Sequence, residues 1–201
     1  MAIDMTSVSL KQLILDRRTC YQFSDLKSYP VTDENIYDCL EAARWAPNHK
    51  LTQPWRFWIV DGKSKRALAD IYAENRALKK AEKHSDSYQE LYLKAVDKFM
   101  AIPKVVLVGQ VINKNPVVQK EDYAACACAI QNFQLMAWSL NMGVQWSTGP
   151  IINDQRTYNY LDQDSTQLEL IGALYLGHRK QGCQGLNSKR NALKECVTHL
   201  K

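Results

Sequence analysis

Three stretches of this sequence concentrate side chains able to hold an anion or the polar edge of a planar ring. The first is Arg17-Arg18-Thr19, directly after a short amphipathic segment. Guanidinium forks pair bidentately with phosphate, and a neighbouring hydroxyl adds a further hydrogen bond. Paired arginines also serve simply as solvated charge at the negative end of a helix. The second stretch runs from Ala42 to Val60, where Asn48, His49, Lys50, Thr52 and Gln53 lie between Pro47 and Pro54. A polar loop pinned between apolar elements is a good place for a ligand, and it is also a common way to join a helix to a strand. The third is Val144-Gln145-Trp146-Ser147-Thr148-Gly149-Pro150. There Trp146 offers a flat face to a heterocycle, while Ser147 and Thr148 bring hydroxyls and backbone N–H groups together. A strand end that packs its tryptophan into the core would be written with the same residues.

The elements around these stretches follow from caps, breakers and periodicity. Ser9 with Gln12 reads as a capping box, and Leu10, Leu13 and Ile14 give a short amphipathic helix. Thr32 caps a second helix, with Ile36, Cys39, Leu40 and Ala43 on its inner face. Pro47 stops that helix, and Pro54 favours an extended Gln53. Phe57 to Val60 read as a buried strand closed by the turn signal Asp61-Gly62. Helices are expected from Ser64 through Leu78 and over Tyr88 to Phe99, with the charged stretch Lys79 to Asp86 between them. This pair is either a mobile lid or a plain helical hairpin. Pro103 precedes a central strand, Val105 to Ile112, and Asn113 to Lys120 reads as a loop around Pro116. The longest helix is expected from Glu121 to Met142, stopped by Gly143, with alanines on several faces that suit packing from more than one side. Asn153 caps a short helix, and Leu168 to Leu176 form the last strand, ended by Gly177. The rest, with Lys189, Arg190 and Lys194, reads as an arm crossing a surface. The expectation is a single domain, 1–201, with an arm from about 178 to 201.

Composition narrows the function classes. The 201 residues are 46% hydrophobic and 23% charged, which suits a soluble globular domain with ample core. A net charge of +5, spread along the chain, allows attraction to phosphate-bearing small molecules. Nucleic-acid binding usually wants a clustered basic face, so nucleic acid is not an expected partner. No apolar run reaches a membrane span, and Met1 to Leu10 lacks the pattern of a signal peptide. No membrane partner is expected, and the cytoplasm is the expected compartment. Six cysteines, at 20, 39, 126, 128, 183 and 196, form no metal or disulfide pattern and suit buried thiols. No metal site is expected.

Taken jointly, Arg17-Arg18-Thr19, the Ala46-Pro47-Asn48-His49-Lys50-Leu51-Thr52-Gln53-Pro54-Trp55 loop and Gly143-Val144-Gln145-Trp146-Ser147-Thr148-Gly149 resemble the nitroreductase family of flavin enzymes. The Ala-Pro-x-His-Lys-x-x-Gln-Pro-Trp form resembles its compact branch of small bacterial oxidoreductases. The resemblance implies an α+β fold with a mostly antiparallel central sheet flanked by helices. It also implies an intertwined homodimer with FMN at the subunit interface, NADH or NADPH as electron donor and a small-molecule electron acceptor such as a nitroaromatic. Site roles carried over with it place Arg17, Arg18 and Thr19 at the FMN phosphate and ribityl chain, with Lys189 and Arg190 assisting. They place Trp146, Ser147 and Thr148 along the isoalloxazine, and His49 reaching the flavin of the partner subunit. Residues Met136 to Asn141 match a region linked to nicotinamide nucleotides, and Arg18 is the side chain expected to stabilise charge on the reduced ring. No acid–base residue is required.

The sequence departs from the family pattern at three places. Leu51 stands where an asparagine is frequent, so flavin hydrogen bonds from this loop fall to Asn48, His49 or Gln53. Trp45 replaces a frequent arginine and would cover the flavin face or restrict entry. Ser147 replaces a frequent basic residue, which disfavours an anionic nicotinamide donor. Two further readings follow: a specialised flavin protein with poor nicotinamide use, and a flavin-free dimeric binding protein.

Overall fold

The computed structural model of the chain describes residues 9–24, 30–180 and 188–200. Its helices are α1 (Leu10–Asp16), α2 (Asp33–Arg44), α3 (Gly62–Ala77), α4 (Asp86–Met100), α5 (Pro116–Ser139) and α6 (Gln155–Tyr160). Its strands are β1 (Trp55–Val60), β2 (Lys104–Val111), β3 (Met142–Ser147) and β4 (Leu168–His178). They form one antiparallel sheet in the order β1-β2-β4-β3. The α+β architecture with an antiparallel sheet between helical layers is therefore as the resemblance implies.

Strand alternation divides the core into two layers. Val106 and Val108 point to α2 and α5, where they meet Ile36, Cys39, Ile130 and Phe133. Val105 and Leu107 point the other way, towards Leu68, Phe99, Ile151 and Tyr158. On β4 the alternation slips once. Leu170 shares a layer with Val105, yet Ile171 faces α5, after which Ala173 and Tyr175 return to the first of these layers. The cause is a register shift: Val108 pairs with Gly172 while Gly109 pairs with Leu170, leaving Ile171 as the bulged residue. A bulge leaves a carbonyl without its ladder partner. The Ile171 carbonyl instead accepts from Trp146 Nε1 at 3.2 Å. A Cβ at Gly172 would lie 2.2 Å from that nitrogen, so glycine makes room for the indole.

Ser9 accepts from the Gln12 amide, although the Gln12 side chain reaches forward to Asp16 and leaves the box half made. Thr32 and Asn35 make a full reciprocal box at α2. Five expectations are corrected. Pro116 opens α5 instead of lying in a loop: Asn115 caps the Val117 amide, and proline at the first turn loses a donor that has no helical partner anyway. The helix stops at Ser139, with Asn141 in the left-handed region (φ 59°), so Gly143 falls inside β3. Asp61-Gly62 starts α3 directly, and Asp154, not Asn153, caps α6. Gln53 has φ 44° and is not extended, because Lys50 and Leu51 (φ 51° and 54°) already turn the chain left-handed within a tight 49–51 turn.

The α3–α4 pair is a packed hairpin. Lys65, 8% exposed, donates to the carbonyls of Met100 and Ile102 at the end of α4. Burial and the nearby Lys104 lower its pKa, while Asp61 opposes them. Replacing it (Lys65→Met) leaves two carbonyls without their charged donor, so urea unfolding should show a loss of about 2–3 kcal/mol, with Lys65→Arg nearer wild type. Burial also raises the thiols of Cys39 and Cys126 to about 12, making them inert core residues. Among the described residues no helix is long and apolar enough to cross a membrane.

Candidate functional site

The segment after α1 is laid along the sheet end, not left as a tail. Thr19 bridges Val144 in parallel, the Cys20 amide donates to the Val144 carbonyl at 3.2 Å, and the Ser24 amide donates to the His178 carbonyl at 2.8 Å. This course carries the chain from β3 to the end of β4. It fits because Gly143 lacks a side chain: a Cβ there would be 2.3 Å from Cys20 Cβ.

At the start of the segment sits a cluster of cations. Arg17 is partly buried, and its pKa is lowered by burial, by Arg18 and by Arg190. Its Nε is buried without a hydrogen-bond partner among the described residues. A desolvated guanidinium among like charges is unfavourable until an anion with several acceptor oxygens joins it. Arg18 behaves differently. Its guanidinium folds back to the carbonyls of Leu15 and Arg17 and so closes the C-terminal end of α1. Lys189 and Arg190 lie in the exposed arm, and Arg190 also donates to the Lys189 carbonyl.

Further along, the segment forms one wall of a cleft of about 630 Å³. Tyr21, Gln22 and Phe23 face Tyr72, Arg76 and Lys98 of the helical hairpin, with Gln145, Ser147 and Tyr175 on the sheet and Lys180 at the rim. The strand period explains the floor: Gln145 and Ser147 share one face of β3, and the bulge on β4 brings Tyr175 to that same face. Tyr175 is 5% exposed, with its ring edge-on to Phe99 at 5.8 Å. Burial pushes its hydroxyl up to about 12, while Ser147 and Arg76 pull the other way. Ser147 lies beside that hydroxyl without completing a well-aligned bond, so the buried oxygen keeps unused capacity among the described residues.

The sequence-derived residues thus separate into groups. Arg17, Arg18 and Thr19 lie on one segment with Arg190 near Arg17, and Ser147 lies in the cleft that the segment enters. Thr148 lines an adjoining depression with Lys79 and Asn153. Trp146 points away from the cleft, into the layer beneath α5, where its indole pins the bulge. Trp45, His49 and Gln53 are exposed and do not line this cleft. Their loop is nonetheless held in shape. Asn48 Oδ1 accepts from the Gln53 amide at 3.0 Å, and Thr52 Oγ1 donates to the buried Asp122 at 2.7 Å. Trp45 Nε1 donates to Glu41 at 2.8 Å, and the Arg44 guanidinium stands 5.8 Å from the indole centroid. Tyr21, Tyr72, Arg76, Lys98, Tyr175 and Lys180 were missed by sequence reasoning. They come from the segment after α1, from α3 and α4 and from the end of β4, with no local motif to mark them.

Comparison with known proteins bears on the family and the fold. The model of the nitroreductase family matches residues 14–178. A relative from Bacillus subtilis (strain 168), named "Putative NAD(P)H nitroreductase YfhC", is 33% identical over 150 residues, 74% of each chain. Among solved structures, a nitroreductase-like family protein from Bacillus cereus superposes with a TM-score of 0.82 at 23% identity, over 98% of both chains. A Desulfovibrio desulfuricans protein in complex with FMN gives 0.71 at 27% identity, over 98% of this chain and 99% of that one. With the family model spanning the region from α1 to the end of β4, the chain belongs to the nitroreductase family.

Proposed function

We propose that the protein is an FMN-dependent oxidoreductase that takes electrons from NADH or NADPH and passes them to nitroaromatic or related small-molecule acceptors. The observation that carries this reading is the buried Arg17 Nε, without a hydrogen-bond partner among the described residues, in a cluster of cations on the same segment whose Tyr21, Gln22 and Phe23 wall the aromatic-lined cleft. That pairing suits a ligand with a phosphate at one end and a planar ring system at the other. The FMN complex of the Desulfovibrio relative and the name of the Bacillus subtilis relative support the same cofactor and donor.

When bound, FMN supplies the hydride and electron transfer chemistry. Arg17 and Arg190 would hold the phosphate, helped by Lys189, Arg18 and the Thr19 hydroxyl. Lys98 and Lys180 bring positive charge to the ring-sized part of the cleft, where charge grows on reduction. They take over the work expected of Arg18, which is committed to its own helix end, and they supply from α4 and the β4 end the charge that Ser147 lacks. Donor and acceptor would use the cleft in turn, a ping-pong exchange.

The working unit in this reading is a homodimer. Helix α1 buries none of its residues, and Leu10, Ile14 and Leu15 are exposed, as are Leu193, Val197 and Leu200 of the arm. Exposed apolar surface on this scale suits a second copy of the chain. Trp45, His49 and Gln53 would then reach the cleft of the other subunit across the interface.

The test is a visible spectrum of the purified protein followed by anaerobic NADPH and then NADH. An oxidised-flavin spectrum that bleaches within seconds is the expected result. Bound flavin that neither donor bleaches would refute the nicotinamide half of the proposal. Failure to take up added FMN would refute it altogether.

A further inference from the structure

We propose that the cleft selects acceptors carrying an anionic group on an aromatic ring, and that Arg76 is the side chain that reads the charge. The inference deepens the reductase reading above and rests on it for the use of the cleft. Three cations line the cleft, Arg76, Lys98 and Lys180, and no aspartate or glutamate lies among its described lining residues. Several other cations of this layer are neutralised within the protein: Arg66 by Asp70, Lys83 by Glu74, and Arg156 by Glu74 and Asp154. None of the three cleft cations has an ion-pair partner among the described residues. The lining of the cleft thus carries positive charge that none of its own residues balances.

A flavin phosphate does not cancel it, because that charge belongs at Arg17 and Arg190. A reduced ring would engage Lys98 and Lys180, leaving Arg76 for the acceptor. Arg76 is also well placed for it. Its guanidinium stands 5.4 Å from the centroid of Tyr72, a cleft residue, which fixes a long side chain that would otherwise wander in solvent. Its charge is also felt by the Tyr175 hydroxyl at the cleft floor. Tyr72, Tyr21 and Phe23 provide flat apolar contact for a ring, and Arg76 provides the fork for a carboxylate. Because Arg76 is exposed, its effect is that of a partly screened pair, roughly a five- to tenfold preference.

The test compares 4-nitrobenzoate with 4-nitrobenzamide, which match in ring and nitro group and differ in charge, using FMN-loaded protein under anaerobic conditions. Equilibrium binding of each is measured first with no electron donor, and kcat/KM with NADPH second. The expected result is about a tenfold preference for 4-nitrobenzoate in both measurements at low salt, shrinking as ionic strength rises. In Arg76→Gln the preference should collapse towards unity, and Arg76→Lys should restore most of it. Equal binding of the two probes in the wild type, or a preference that survives Arg76→Gln, overturns the proposal. Selective binding without turnover of either probe would uphold the charge selection and refute the reductase reading instead.

Discussion

Replacing Arg17 by methionine should weaken FMN binding by roughly 30- to 150-fold, about 2–3 kcal/mol, while leaving the unloaded protein as stable as before or more so. The two halves of this expectation come from one fact. The Arg17 guanidinium is partly desolvated, stands among like charges and has an Nε with no hydrogen-bond partner among the described residues. In the empty protein it is a cost, and methionine of similar length removes both the orphaned donor and the repulsion. With a phosphate present the same group becomes a charge-assisted donor whose desolvation has already been met by the fold. Flavin titration followed by fluorescence, with thermal melts of the FMN-free protein, checks both halves. A variant that melts lower and binds FMN as before would show that Arg17 is structural. Arg18→Ala should have a smaller effect on binding, because that side chain is occupied with the carbonyls at the end of α1.

Gly143→Ala should destabilise the protein by about 3 kcal/mol, seen as a fall of roughly 10 °C in melting temperature, and should lose FMN as well. The added methyl would lie 2.3 Å from Cys20 Cβ and 2.7 Å from its Sγ. A Cβ is fixed to the backbone and cannot swing aside, so the segment that bridges Thr19 to Val144 has to lift from β3. Arg17 lies just before the point of lifting and Tyr21 just after it. Both the anion cluster and a wall of the cleft would shift together. Cys20→Gly in the same chain removes the clashing atoms and should restore part of the stability and of the flavin binding. A single variant with normal melting and normal flavin content would show that the segment does not need its seat on β3.

Features written in consecutive residues were legible in the sequence: Ser9 and Thr32 as caps, the loop between Pro47 and Pro54, the valine-rich β2, and the paired arginines. Where one residue type has two uses, the reading failed. Pro116 reads as a loop residue from sequence, but a proline suits the first turn of a helix as well, and only the Asn115 cap decides between them. Gly143 resembles a helix stop, and its real cause is Cys20, more than a hundred positions away in the chain. The candidate site is legible only in part for the same reason. Arg17 and Ser147 carry local motifs, whereas Arg76, Lys98 and Lys180 are ordinary surface cations until α3, α4 and β4 meet. Trp146 shows the limit most clearly. Its position suggested a platform for a ring, yet the alternation of β3 turns it to the opposite face.

The bulge at Ile171 makes this region unusually sensitive to length. A strand has a parity, and each residue removed or added reverses it for everything that follows. Deleting Ile171 would restore an unbroken ladder between β2 and β4, a gain in local regularity. It would also turn Tyr175 and Ala173 towards α5 and bring Leu174 and Leu176 out to the cleft. Because Gln145 and Ser147 pair with Tyr175 and Ala173, β3 could keep its partners only by turning over as well. At this one position a more regular strand would erase the cleft.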